Sequence, residues 1–249
     1  MDSLTRYKIS VISYLNSFPF IYGLRKNNLD KKCEISLNIP SVCADKLILG
    51  DADIALAPVV LMNQLNNVKI VSDYCIGANG HVDTVCLFSD VPFYEIENIF
   101  IDYQSRTSVE LLKIILKDFW KISPPFIDTS NNYEARIKGK SAGLIIGDRA
   151  FHYKNKFNYI YDLSGIWKEM CGLPFVFACW ITNKKIDEDF KKEFNSALGY
   201  GVDNIQEAIK LAPSMLSDCQ NPYDYLNNKI SYQLDDEKLE GMRLFLNKI

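Results

Sequence analysis

Four short segments of this 249-residue chain carry the side chains suited to holding or transforming a small polar molecule. The first is S-Y-L-N-S-F-P-F at 13–20, where an apolar run stops and a helical pattern starts. Ligands of open α/β sheets bind outside the carboxyl ends of strands, so Ser13, Asn16 and Ser17 stand where one would be touched. A simple helix cap by Asn16 or Ser17 explains the same residues. In I-D-Y-Q-S-R-T-S-V-E at 101–110, the hydroxyls of Ser105, Thr107 and Ser108 converge with Arg106 on the start of an amphipathic helix. Unpaired amides and the positive end of the helix dipole suit a carboxylate there, and Arg106 can grip one through two parallel hydrogen bonds. Thr107 and Glu110 also have the spacing of a capping box, and that alternative needs no ligand. Gly147 and Asp148 follow a third apolar run, placing a carboxylate that can orient a hydroxyl or exchange a proton, or else cap a turn or pair with Arg149. The fourth segment, A-N-G-H-V-D-T-V at 78–85, contains His81, a proton carrier if it reaches a cleft and a surface side chain otherwise.

The elements that must position these groups alternate. Lys8 to Ser13, Glu34 to Ile39 and Asp53 to Ala57 read as short buried strands. Helical patterns lie between and after them, one with Ser41 as N-cap, Val42 to Leu49 as body and Gly50 as stop, another opening at Pro58 and running to about Leu65. Further strands at Lys69 to Val71 and Val85 to Ser89 complete a β-α-β-α-β-α order that predicts a mainly parallel sheet. From Val91 to about Gly172 the theme repeats, with strands at 98–102 and 142–146, a helix from Thr107 to Trp120 and a short helix near 132–138. After an apolar strand at Leu173 to Thr182 come helical patterns at 188–211, 213–218 and 235–247. Two lobes joined by continuous strands near 84–92 and 173–182 would enclose a hinged cleft, and such clefts hold small ligands. The expected division is residues 1–90 with 175–249 as one lobe and 91–174 as the other.

Composition narrows the classes. Hydrophobic residues at 48% and charged residues at 24% are ordinary for a folded domain and exclude a disordered or fibrous chain. A net charge of −3 is too balanced to draw in nucleic acid. No apolar run approaches the ~20 residues that span a bilayer, so no membrane partner is expected, and the polar start without a leader-like apolar region reads as cytoplasmic. Seven cysteines without a C-x-x-C pair suggest reduced, buried thiols rather than a disulfide framework or a zinc site. Glycine-rich phosphate loops, H-E-x-x-H and G-x-S-x-G are all absent, so neither a nucleotide cofactor nor a metal is expected.

Taken together, the segments resemble a known family. S-Y-L-N at 13–16, D-x-A-L-A-P-V at 53–59, Y-C-I-G-A-N-G at 74–80, D-x-x-S-R-T-S at 102–108, I-G-D-R-A at 146–150 and D-L-x-x-x-W…G-L-P-F-V-F-A-x-W at 162–180 resemble the chorismate dehydratases of the futalosine route to menaquinone. The resemblance runs from about residue 8 to 182. It implies a two-lobed α/β fold like that of periplasmic binding proteins of the two-crossover type, with a central cleft. It implies a hydro-lyase that removes water from chorismate, a dicarboxylate, to give 3-[(1-carboxyvinyl)oxy]benzoate with no cofactor, since aromatisation drives the reaction.

Residue by residue, the resemblance makes Asn16 a participant in hydroxyl departure or proton removal. The turn Ser105, Arg106, Thr107 and Ser108 would hold one carboxylate, with Arg106→Ala expected to raise the Michaelis constant. Ser13, Gly147 and Asp148 would face the same cleft. The chain departs from the family where N-G-H-V-D-T-V stands for the usual D-G-P-V-R-S-V, so a site serine becomes Thr84, which keeps the hydroxyl and adds a methyl group. Two alternatives share this fold: the 1,4-dihydroxy-6-naphthoate-forming lyase of the same pathway, and a non-catalytic module that binds a small molecule and returns it unchanged.

Overall fold

A computed structural model describes residues 6–211 and 218–249. Apart from Asp218, the helix expected over 213–218 lies outside the described residues. The strands are β1 (Lys8–Ile12), β2 (Glu34–Asn38), β3 (Ile54–Pro58), β4 (Lys69–Ala78), β5 (Val85–Ser89), β6 (Asn98–Phe100), β7 (Phe126–Ile127), β8 (Ser141–Ile146), β9 (Tyr159–Asp162), β10 (Phe175–Thr182) and β11 (Ser231–Gln233). They form two sheets, one ordered β11-β4-β10-β3-β1-β2 and the other β7-β6-β8-β5-β9. Each sheet is the centre of a lobe. The fold is therefore α/β and two-lobed, with the first sheet drawing its strands from both ends of the chain.

The sheets are mixed rather than mainly parallel. β1 runs parallel to β2 and β3, and β6 runs parallel to β7 and β8. β10 enters between β3 and β4 and is antiparallel to both, while β5 is antiparallel to β8 and β9. The reversal follows from topology: the strands at the two crossings enter their sheets in the opposite sense to the β-α-β strands already there. β3 and β10 are buried along their full lengths, which explains their unbroken apolar sequences I-A-L-A-P and F-V-F-A-C-W-I-T.

Local chemistry sets most of the helices around the sheets. Pro40, not Ser41, opens the helix Pro40–Leu49, because its fixed φ suits the first helical position, and Gly50 ends it with φ 77°. Pro58 closes β3 instead of starting a helix, and only a short helix, Leu61–Gln64, follows. Thr107–Ile114 is helical as expected and continues as a wider π turn to Trp120. The expected helix over 188–211 breaks at Asn204 into Glu188–Asp203 and Ile205–Lys210. The helix Phe18–Lys26, which begins two residues beyond Asn16, lies directly on Glu188–Asp203. Two glycines permit that approach, since a Cβ at Gly23 would sit 2.0 Å from the Ala197 carbonyl oxygen and one at Gly201 would sit 1.8 Å from that of Pro19.

The lobes are not joined by continuous strands. The first connection is the irregular segment 79–84, in which Gly80 and Asp83 take positive φ. The second contains the helix Leu163–Cys171. Both are held by one side chain. The Asp162 Oδ2 atom accepts the amides of Val82 at 2.9 Å and Asp83 at 2.7 Å, and its Oδ1 accepts those of Ser164 and Gly165, both at 3.0 Å. The buried carboxylate thus caps the second connection and anchors the first. Asp162→Ala leaves four amides without their acceptor and should lower the unfolding free energy by at least about 3 kcal/mol. Urea denaturation checks this, and an unchanged midpoint would mean that the amides find other partners.

Candidate active site

A narrow enclosure between the lobes lies beyond the carboxyl ends of β1, β2, β3, β6 and β8, its walls mostly apolar with a few polar groups among them. Its empty volume is about 500 Å³, within the roughly 300–1,000 Å³ of small-molecule pockets. Asn16 and Tyr14 enter from the turn after β1, and Pro40 and Pro58 close the first lobe's side. Thr84 comes from the first connection and Val85 from the start of β5. Ser105, Thr107, Ser108 and Gly147 form the second lobe's side, and Phe177 and Ala178 of β10 lie at the back. None of the described lining residues carries a charged side chain.

The second lobe presents an oxygen and amide cradle. Its core is the start of Thr107–Ile114, where Ser105 Oγ accepts the Ser108 amide at 3.1 Å. This bond, rather than a Thr107 and Glu110 capping box, organises the turn, and Glu110 pairs with Lys113 instead. The Thr107 hydroxyl is buried and has no hydrogen-bond partner among the described residues, and Thr107 is one of the residues lining the cavity. Arg106 at the N-cap position supplies no side-chain cap. First-turn amides, an unpartnered hydroxyl and the dipole's positive end together form a neutral anion cradle.

Arg106 itself is not part of it. Its guanidinium binds Asp45 of the helix Pro40–Leu49 at 2.6 Å, outside the cavity wall, and so links the lobes instead of facing a ligand. Ser13 likewise stands off the wall, its amide bound to the Asn38 carbonyl at 2.9 Å. Asp148 lies behind the wall: both of its oxygens take the Leu15 amide, at 2.9 and 3.1 Å. The remaining candidates, Asn16, Thr84, Ser105, Thr107, Ser108 and Gly147, do meet around one space. His81 is exposed and lies 3.8 Å from Asp162 rather than in the cavity.

Tyr14 is a wall residue that the residue patterns did not single out, although it sits inside S-Y-L-N. Its hydroxyl donates to Gln104 Oε1, and its ring covers Gly147 so closely that a Cβ there would lie 2.6 Å from it. Gly147, at φ 66°, is needed both for its turn and for this contact. Gln104 also accepts the Ser41 amide on its carbonyl at 3.1 Å, so three bonds at this end close one lobe on the other. Burial, then the Asp102 charge, hold the Tyr14 phenol far above its ordinary range, so it works as a neutral donor.

The fold and the site define a class: a two-lobed α/β protein of the periplasmic-binding-protein type with an interlobe small-molecule cavity. A family model described as menaquinone biosynthesis matches residues 7–249, and the chain belongs to that family. A chorismate dehydratase of Thermus thermophilus is 23% identical over 192 residues, which cover 70% of this chain and 69% of that protein. A solved protein of Archaeoglobus fulgidus superposes with a TM-score of 0.75 at 14% identity, covering 100% of this chain and 97% of its own. A Candida albicans protein described as having the generic periplasmic binding protein fold gives 0.68 at 14% identity, covering 97% and 89%. These two likenesses establish the fold. No helix among the described residues is long and apolar enough to cross a membrane.

Asp148 makes the closed cleft sensitive to pH. Burial pushes its pKa up to about 6 from 3.8, with the Leu15 amide pulling partly back. A raised folded-state pKa means that the folded protein holds this proton more tightly than the unfolded chain. The Asp148 contribution is therefore most favourable near pH 4 and is lost as pH rises through about 6. Asp148→Asn should gain stability relative to the parent over that interval by about 1–3 kcal/mol. Urea unfolding from pH 4 to 7 reads this directly, and a pH-independent difference would show the carboxyl to be solvated.

Proposed function

We propose that this protein is a chorismate dehydratase, a hydro-lyase converting chorismate and yielding 3-[(1-carboxyvinyl)oxy]benzoate and water. The observation that carries the reading is the cavity's two-sided chemistry. An anion cradle at Ser105, Thr107 and Ser108 faces the amide of Asn16 and the hydroxyl of Thr84 across one small space. The family match and the Thermus thermophilus relative supply the substrate class.

In this reading the cradle holds the ring carboxylate. The proton to be lost is vinylogous to that carboxylate, so fixed amide and hydroxyl donors stabilise the charge that develops there. Asn16 and Thr84 then serve the departing hydroxyl as hydrogen-bond donors. No base stands in the described walls, and the Asp148 oxygens are occupied by the Leu15 amide. We therefore assign the proton to a carboxylate that the substrate itself brings; the departing hydroxyl takes up that proton and leaves as water, and the carboxylate is regenerated. Loss of water aromatises the ring, which supplies the driving force without a cofactor. The apolar walls, Ile12, Val82, Ile146 and Phe177 among them, exclude water and suit an uncharged ring. Soluble action in the cytoplasm belongs to the same proposal, as does the division into two lobes, with the first boundary moved from 90 to the connection 79–84 because β5 pairs in the second sheet.

Incubating the purified chain with chorismate alone, followed by chromatography with mass detection, should show an aromatic product one water lighter. Unchanged chorismate with saturable binding would instead identify a binding module. Asn16→Ala should cut kcat by about 10²-fold or more while moving KM little, as expected for a group acting at the reacting centre; equal losses in binding would refute that role. Arg106→Ala should leave KM within about threefold, because its guanidinium serves Asp45, whereas Thr107→Val should raise KM by about tenfold through the lost anion contact. A large KM change in the arginine variant alone would return the carboxylate to Arg106.

A further inference from the structure

A hydroxyl chain from the C-terminal segment reaches the back of the site. Tyr225 is 3% exposed and does not line the cavity, yet its OH lies 2.8 Å from Thr84 Oγ1. The Asn16 side chain pulls the pKa of the same phenol partly back against the rise that burial causes. Its ring is fixed edge-on against Phe151 of the second lobe, centroids 4.9 Å apart. A second buried tyrosine, Tyr232, donates from its OH to the Asn16 carbonyl at 2.9 Å and packs edge-on against Phe20 at 5.3 Å.

The direction of the chain follows from donor and acceptor capacity. Asn16 Oδ1 accepts the Ser17 hydroxyl at 3.1 Å, so the link we infer to the phenol runs through its NH₂. A phenol oxygen that accepts from the amide directs its own proton to Thr84 Oγ1. Thr84 then keeps its single proton for the cavity, since its other neighbour, the Val82 carbonyl, stands off at 3.5 Å. Burial holds the Tyr225 phenol well above its ordinary range, with the nearby Asp148 charge acting in the same sense, so the phenol remains protonated.

We infer that Tyr225 is a positioning residue that orients the Thr84 hydroxyl as a donor toward the cavity and couples it to Asn16. This rests on the dehydratase reading for its consequence in turnover, though the hydrogen-bond chain itself does not. In the substrate complex the Thr84 donor faces the leaving hydroxyl, and polarisation along the chain strengthens it. Removing the phenol oxygen frees the Thr84 proton to turn back to Val82.

The test has two parts. Tyr225→Phe in the full chain should lower kcat about 10- to 100-fold with KM within about twofold, and combining it with Thr84→Val should cost no more than Thr84→Val alone. A kcat within twofold of the parent, or additive losses, would overturn the inference. The second part does not need turnover. With ring-carbon-labelled tyrosine, the Tyr225 signal, assigned by its cross-peak to the Phe151 ring 4.9 Å away, should shift in both Thr84→Val and Asn16→Ala, while the Tyr161 signal should not. A Tyr225 signal indifferent to both substitutions would overturn the chain even if chorismate were not converted or the phenylalanine variant failed to fold. Failure to convert chorismate with the expected shifts intact would overturn only the dehydratase reading.

Discussion

One carboxylate, that of Asp162, holds the two places where the chain passes between lobes. It lies at the end of β9 and caps the helix that leads back to the first sheet, while also accepting two amides of the outgoing segment. A charge in a buried setting is costly unless hydrogen bonds surround it, and four backbone amides do so here. Thr84 follows the anchored pair Val82 and Asp83 directly, so the position of its hydroxyl depends on this clamp. The cradle and Asn16 belong to different lobes, and their separation is set by the same hinge together with the Tyr14, Gln104, Arg106 and Asp45 contacts at the opposite end.

Much of the fold was legible in local pattern. The apolar runs at β1, β3, β5, β8 and β10 predict strands because burial on both faces requires continuous apolar sequence. The placement of ligand groups after β1, β6 and β8 follows from how α/β sheets present strand ends. Strand direction was less legible, since antiparallel entry of β10 between β3 and β4 depends on a chain path and not on composition. Ser41 and Pro58 show a related limit: a proline can open a helix or end a strand, and the choice is made by the strand to which it belongs.

The site was legible as a set of segments more than as a set of side chains. Asn16, Thr84 and the 105–108 turn share the cavity, but Arg106 does not, because its partner Asp45 lies 61 positions away on a helix packed across the lobe boundary. Nothing in S-R-T-S distinguishes an arginine that binds a ligand from one that ties two lobes together. Tyr225 is more remote still, 141 positions from Thr84, and its local sequence carries no motif. A buried hydroxyl becomes functional through what it touches, which only the folded chain specifies.

The neutral wall of the cavity also bears on how a ligand arrives. With no charged side chain among its described lining residues and a net charge of −3 on the chain, the wall offers no fixed charge to draw in an anion. Encounter then gains nothing from electrostatic steering, and ionic strength has little to screen. Recognition of charge is left to the amides and hydroxyls of the cradle, which take the place of the water that an anion leaves behind. Such a site selects by the geometry of its donors, and salt weakens it less than it would a site built on lysines and arginines.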